Sequence, residues 1–149
     1  MLATTATKHC HCGNDKPFAQ CCEPFLTFKE KSKTVRQLVR ARYCAYALGA
    51  GHHREFLVRT WHPGTVRGLS IADLTNDNLH WLGLEIIRAD QRDDRGSAEF
   101  RAYFRQEEDG PLRVHHERAL FHRIKGLWLY VEGQVQELTQ VVDTEGGKA

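Results

Sequence analysis

A chain of 149 residues makes one ordinary domain with room for a small appendage. Hydrophobic residues are 41% and aromatics 9%, enough for a packed core, while a net charge of +2 excludes both a strongly basic nucleic-acid binder and an acidic disordered chain. No run approaches the roughly 20 apolar residues of a membrane span, and no apolar segment precedes the first cysteines, so the expectation is a cytoplasmic protein with no membrane partner.

Residues 1–8 are small and polar and read as frayed. A cysteine knuckle follows at about residues 9–24: Cys10-x-Cys12, eight residues, then Cys21-Cys22. Four soft thiolates in one small loop suit a tetrahedral Zn²⁺. Gly13, Asn14, Asp15 and Pro17 supply turn chemistry between the pairs, and Phe18 is a small apolar plug. Disulfides are the alternative, but a vicinal Cys21–Cys22 bridge is strained and nothing points to an oxidising compartment. His9 and His11 are alternative ligands, either able to replace one thiolate. A metal held on all sides by protein is structural, and contributes roughly 10–16 kcal/mol to folding a segment too short for its own core. Cys21-Cys22 is expected to open a short helical turn closed near Pro24. Phe25, Leu26 and Phe28 would pack the knuckle onto the rest, and Lys29 to Lys33 reads as a solvated linker.

Thr34 with Gln37 forms a capping-box pattern and starts the first strong helix, which Gly49 and Gly51 end. A second helix is expected over His52–Thr60, stopped by His62-Pro63-Gly64. Strand-like segments follow at Leu79–Ala89, Ala98–Gln106, Leu112–Ile124 and Leu127–Glu132. The turns between them fall at Gln91–Ser97, Glu108-Asp109-Gly110-Pro111 and Lys125-Gly126. Residues 134–149 are polar and expected to be loose. Helices followed by a meander of long strands mean α+β, with helices covering one face of a curved antiparallel sheet.

The spacing Cys10-x-Cys12-x8-Cys21-Cys22, with Gly13, Lys16, Pro17 and Phe18 between, resembles the SEC-C zinc motif known from the tail of the SecA translocation motor. With Leu38–Tyr46, Thr60-Trp61-His62-Pro63, His116–Phe121 and Trp128–Gly133, the chain resembles the YchJ-like family of small bacterial proteins, a UPF family of unknown function. That resemblance implies a zinc knuckle over residues 1–28 and a cone-shaped domain of two or three helices on a curved sheet over residues 34–133. The cone would be like nuclear transport factor two, a cystatin-like α+β shape. It implies no settled activity.

Two places can carry chemistry. The first is the knuckle, with Cys10, Cys12, Cys21 and Cys22 as ligands and an outer surface of Lys8, His9, His11, Lys16 and Gln20. Its closed site, with no legible catalytic constellation elsewhere, points to a non-enzymatic adaptor. Its partner would be a protein or ribonucleoprotein linked to export, chaperones or the ribosome, with the cone as scaffold or dimerisation module. The second is the sheet's hollow. Glu117, Ala119 and Phe121 share one face of the third strand, and a carboxylate buried there needs a partner such as Arg42 or Tyr46. A pocket lined by Arg42, Tyr43, Tyr46, Trp61, Trp81, Glu117, Phe121, Trp128 and Tyr130 would bind a small molecule or host an enzyme. A filled core with one Glu–Arg pair is the bland alternative. His115 and His116 point to opposite faces and cannot chelate one metal. Cys44 reads as a small core hydrophobe. Arg101, Tyr103 and Arg105 form a basic-aromatic strip that could stack bases but more commonly makes cross-strand pairs.

Overall fold

The long helix sets the frame. In the computed structural model, which describes residues 9–49, 53–66, 79–136 and 141–142, it is preceded by the knuckle with a 3-10 turn at Phe18–Gln20 and a four-residue helix α1 (Glu23–Leu26). The helix itself, α2, runs Val35–Leu48. Thr34 Oγ1 accepts from the Gln37 amide at 3.1 Å, and Gln37 Oε1 reaches back to the Lys33 amide at 2.7 Å, a reciprocal cap. Gly49 ends it at φ 60, where any other residue would be strained. Leu38, Ala41, Cys44 and Ala45 are buried along it, together with Val35, Val39, Arg42 and Tyr43.

Two short helices follow, α3 (Arg54–Arg59) and α4 (Pro63–Val66). The second helix ends at Arg59, ahead of His62-Pro63-Gly64, and Pro63 also opens α4, because a first-turn residue needs no amide proton. His62 Nδ1 accepts from the Gly64 amide at 3.0 Å. Pro24 behaves the same way. It lies in the first turn of α1 rather than closing a helix begun at Cys21.

The sheet is antiparallel in the order β1 (His80–Arg92), β2 (Arg95–Arg105), β3 (Leu112–Ile124), β4 (Leu127–Gln136), with β5 (Val141–Val142) pairing the start of β3. Gln134–Gln136 and Val141–Val142, read from sequence as part of a loose tail, are thus strand; residues 137–140 and 143–149 lie outside the described residues, as do 1–8. The first hairpin is tighter than its polar sequence suggests. Only Asp93-Asp94 turns, with Asp93 at φ 55, and the strands run through Gln91, Arg92 and Gly96. Gly96 is there for closeness rather than for turning. A Cβ on it would come within 2.4 Å of Val35 Cγ2 and 3.2 Å of the Trp128 ring. The Lys125-Gly126 turn has both residues at positive φ, as a two-residue hairpin demands.

Three bulges curve the sheet. Leu82 and Ile87 are extra residues in β1, and Val131 is extra in β4, where Leu120 pairs with Glu132 but Phe121 pairs with Tyr130. The β4 bulge turns Tyr130 to the inner face beside Phe121; uninterrupted alternation would place it with Glu132 outside. The segment after α3 caps this edge. Tyr130 donates its amide to the Thr60 carbonyl at 2.7 Å and its carbonyl accepts from the His62 amide at 2.7 Å.

α2 lies across the inner face, and the core includes Leu38, Phe56, Leu57, Ala98, Ala119, Phe121 and Trp128. The knuckle is continuous with it: Cys10, Cys12, Cys22, Phe25 and Leu26 belong to the same buried cluster. Phe28 does not bury as expected. It stands 46% exposed at φ 65, against Phe56 and under the Arg59 guanidinium. On the outer face, Arg101 and Tyr103 both bond Glu85 Oε1, at 3.2 and 3.0 Å, and Arg105 donates to the Gly110 carbonyl. These are the cross-strand and turn contacts of an ordinary sheet surface.

Candidate functional site

The sulfur cluster is built by local geometry. The Cys10 amide donates to the Lys16 carbonyl at 2.8 Å and the Gly13 amide to the Cys10 carbonyl at 3.0 Å, with Gly13 at φ 94 making the reversal. The 3-10 turn then returns the chain to Cys21 and Cys22. The four sulfurs lie within 4.8 Å of one another and could hold a metal ion. Cys12–Cys21 is 3.7 Å and Cys21–Cys22 is 3.9 Å. A tetrahedral ion with metal–sulfur bonds of about 2.3 Å needs sulfurs about 3.8 Å apart, so the donor set fits. Asn14 Nδ2 donates to Cys21 Sγ at 3.4 Å. The Cys10 thiol is driven far down, first by Cys12 and then by Cys22 and Cys44, while Cys22 is driven up, first by Cys10. So many thiols in contact cannot all ionise without a shared cation. His9 and His11 are both exposed; His11 rests edge-on against Phe18 and His9 lies 3.9 Å from Asp15.

The fifth cysteine is also here. Cys44 Sγ, on α2, lies 3.6 Å from Cys10 Sγ. Its apolar helical neighbours gave it the look of a core residue, and only the fold reveals its sulfur neighbour.

The hollow lies on the other side of α2. It has a volume of about 400 Å³ and is lined from α2 by Val39, Arg42, Tyr43 and Tyr46, and from the sheet by residues that include Trp81, Ala102, Glu117, Phe121 and Tyr130. Trp61 closes it from the capping segment. Trp128, named with these from sequence, does not line it. Trp128 is fully buried deeper in the core, beside Gly96 and beneath the Arg123 guanidinium, two residues along the same strand from Tyr130. Phe100 and His115 also line the hollow, beyond the residues that the sequence assigns to it.

Glu117 is the polar centre. Its Oε1 lies 2.6 Å from His115 Nε2 and its Oε2 accepts from the Tyr130 hydroxyl at 2.5 Å. Burial pushes its pKa up, but the bonds from His115 and Tyr130 and the charge of Arg42 hold it below the ordinary carboxylate range. The same burial and the carboxylate's charge push Tyr130 upward. Gly133 allows this arrangement, since a Cβ there would fall 1.8 Å from Glu117 Oε2.

Arg42 is not in direct contact with Glu117. Its Nη1 donates to the Leu57 carbonyl at 3.0 Å and Thr60 Oγ1 at 2.8 Å, and its guanidinium is sandwiched 4.9 Å from both the Trp61 and Tyr130 rings. Burial lowers its pKa, opposed by Tyr46, Tyr130 and Glu117. His115 places Nε2 on the carboxylate, with the donor or acceptor role of each ring nitrogen following the tautomer, and Nδ1 is its other polar atom. Among the described residues Nδ1 makes no hydrogen bond. On the opposite face His116 bonds Glu99 Oε2 at 2.7 Å, so the two adjacent histidines serve different carboxylates. No described helix is long and apolar enough to cross a membrane.

Comparison with known proteins places this architecture. Residues 34–133 match the family model described as YchJ, middle NTF2-like domain. A UPF0225 protein of Actinobacillus succinogenes is 34% identical over 87% of this chain and 84% of its own length, and one of Deinococcus radiodurans is 36% identical over 84% and 88%. The solution structure of a SEC-C motif containing protein from Rhodopseudomonas palustris superposes with a TM-score of 0.78 at 30% identity, covering 87% of this chain and all of that one. A crystal structure of another such protein, from Psychrobacter arcticus, gives 0.73 at 25% identity over 91% and 86%. With its cysteine knuckle, its α+β cone and matches that span most of its length, the chain belongs to the YchJ-like UPF0225 family.

Proposed function

We propose that this protein binds a small, mainly apolar ligand in the hollow of its cone, with a zinc ion fixing the N-terminal knuckle as a structural staple. Zinc is the ion of choice because every donor is sulfur and the chain offers no open coordination position. The observation that carries the ligand reading is the hollow of about 400 Å³ touching the buried Glu117 carboxylate. That size falls in the range of small-molecule sites, which combine aromatic walls with a few placed polar groups. Tyr43, Tyr46, Trp61 and Trp81 supply the walls, and His115 with Glu117 a hydrogen-bonding end for a polar group of the ligand. The knuckle shares a buried cluster with the cone, which favours a staple over a detachable handle.

A fragment screen read by chemical-shift changes in the metal-loaded protein tests this. Expected are shifts confined to Tyr46, Trp61, Trp81 and Ala102 for ligands with one planar apolar ring. Shifts scattered over the surface, or none across a broad library, would end the reading. The adaptor reading keeps one observation of its own: His9, His11, Lys16 and Gln20 are all exposed on the knuckle. Partner capture that survives alanine at these four positions removes it.

A further inference from the structure

The sulfur cluster holds more donors than one tetrahedral ion can use. Cys44 Sγ stands 3.6 Å from Cys10 Sγ, close to the edge of about 3.8 Å that a metal–thiolate tetrahedron requires. Cys44 is delivered by a rigid element. α2 is capped at Thr34, tied to β1 through the bond from the Val35 amide to Gln91 Oε1, and pinned through Arg42 to Leu57 and Thr60. Cys44 is wholly inaccessible, whereas Cys21 is the most open of the five cysteines.

We infer that the centre is a five-thiol site in which Cys44 can take the coordination position of Cys21. The exchange balances without an oxidant: Cys44 loses its thiol proton and forms a metal–sulfur bond, while the Cys21–metal bond breaks and its sulfur takes up a proton. The ion stays four-coordinate with the same charge. Cys21 then becomes a half-exposed free thiol while the knuckle keeps its metal. The ion in that state also bonds α2, the helix whose Arg42, Tyr43 and Tyr46 line the hollow.

This rests on metal binding by the knuckle, and one experiment separates the two. X-ray absorption at the zinc edge counts sulfur ligands in the full-length wild type and in Cys21→Ser, each kept reduced and dilute enough to be free of chain-to-chain bridging. The wild type is expected to show four sulfurs. The chain has five cysteines in all, so with Cys21 gone a four-thiolate site must include Cys44. Four sulfurs in Cys21→Ser, falling to three in Cys21→Ser/Cys44→Ser, establish the exchange. Three sulfurs with a nitrogen or oxygen in Cys21→Ser, or a variant that no longer retains zinc, overturn it and leave the staple standing. A wild type that takes up no zinc overturns both.

Discussion

The knuckle and the hollow face each other across α2 and solve the problem of buried polarity in opposite ways. In the knuckle, four sulfurs crowd together within 4.8 Å of one another, an arrangement that a cation would complete. In the hollow, the carboxylate is already complete. His115 and Tyr130 occupy its two oxygens, and Arg42 balances its charge while bonding elsewhere. A site that lacks charge is held together by what binds it. A site whose own groups satisfy one another keeps its shape empty, and leaves its volume free for a ligand. Metal removal should therefore damage the fold, whereas an empty hollow should cost nothing.

The largest expected effect follows from that contrast. Stripping the ion with a strong chelator removes a contribution on the order of 10 kcal/mol, and changing Cys12 to alanine removes part of it. Because Cys10, Cys12, Cys22, Phe25 and Leu26 share the main buried cluster, the loss should spread beyond residue 28. Thermal denaturation should show a lower midpoint and a broader transition, and hydrogen exchange should report lost protection in α2. Protection lost in the knuckle alone would mean that the two regions are separable.

Next comes Glu117. Replacing it with alanine leaves the Tyr130 hydroxyl and His115 Nε2 without their partner and takes a compensating charge from near Arg42, a loss of about 3 kcal/mol or more. Glu117→Gln keeps the shape and one acceptor and should cost less, about 1–3 kcal/mol. The pH dependence separates charge from shape. The folded pKa of Glu117 lies below its ordinary value of 4.5. Its ionised form thus stabilises the fold above that value, and the contribution is lost as pH falls through the lower, folded pKa. The stability difference between wild type and Glu117→Gln, measured by denaturant titration at a series of pH values, should shrink as the solution is acidified below 4.5. A difference that stays flat would mean the residue acts through packing.

The two regions also differ in how openly the chain announces them. All four knuckle cysteines fall between Cys10 and Cys22, where spacing alone specifies which sulfurs meet. The hollow is assembled from α2, the capping segment and all four long strands. Period-two alternation on β3 is enough to put Glu117 and Phe121 on one face, and α2 carries Tyr43 and Tyr46 to the same hollow. What alternation could not give was the Val131 bulge that aims Tyr130 at Glu117, or the closeness of α2 that keeps Trp128 out of the hollow and requires glycine at 96. His115 was seen as half of a pair facing opposite ways; that it shares a face with Glu117 was legible, and its bond was not. Cys44 marks the same boundary. Its helix was plain from the sequence, but its contact with Cys10 exists only once α2 lies against the knuckle.

The smallest effect tests the claim that the hollow completes itself. Tyr130→Phe removes one donor to Glu117 and keeps the ring that sandwiches Arg42 with Trp61. One hydrogen bond is worth about 0.5–1.5 kcal/mol, more when its acceptor is charged, so stability should fall by about 1–2 kcal/mol with the fold intact. The titration of Glu117 is the sharper readout. With a donor to its charged form gone, the carboxylate should bind its proton more readily, and the acid end of the stability profile should move to higher pH. Carbon-detected titration of the Glu117 carboxyl in both proteins measures this directly. An unmoved midpoint would show that His115 and Arg42 hold the charge without help, and that the bulge at Val131 serves the packing of the ring rather than its hydroxyl.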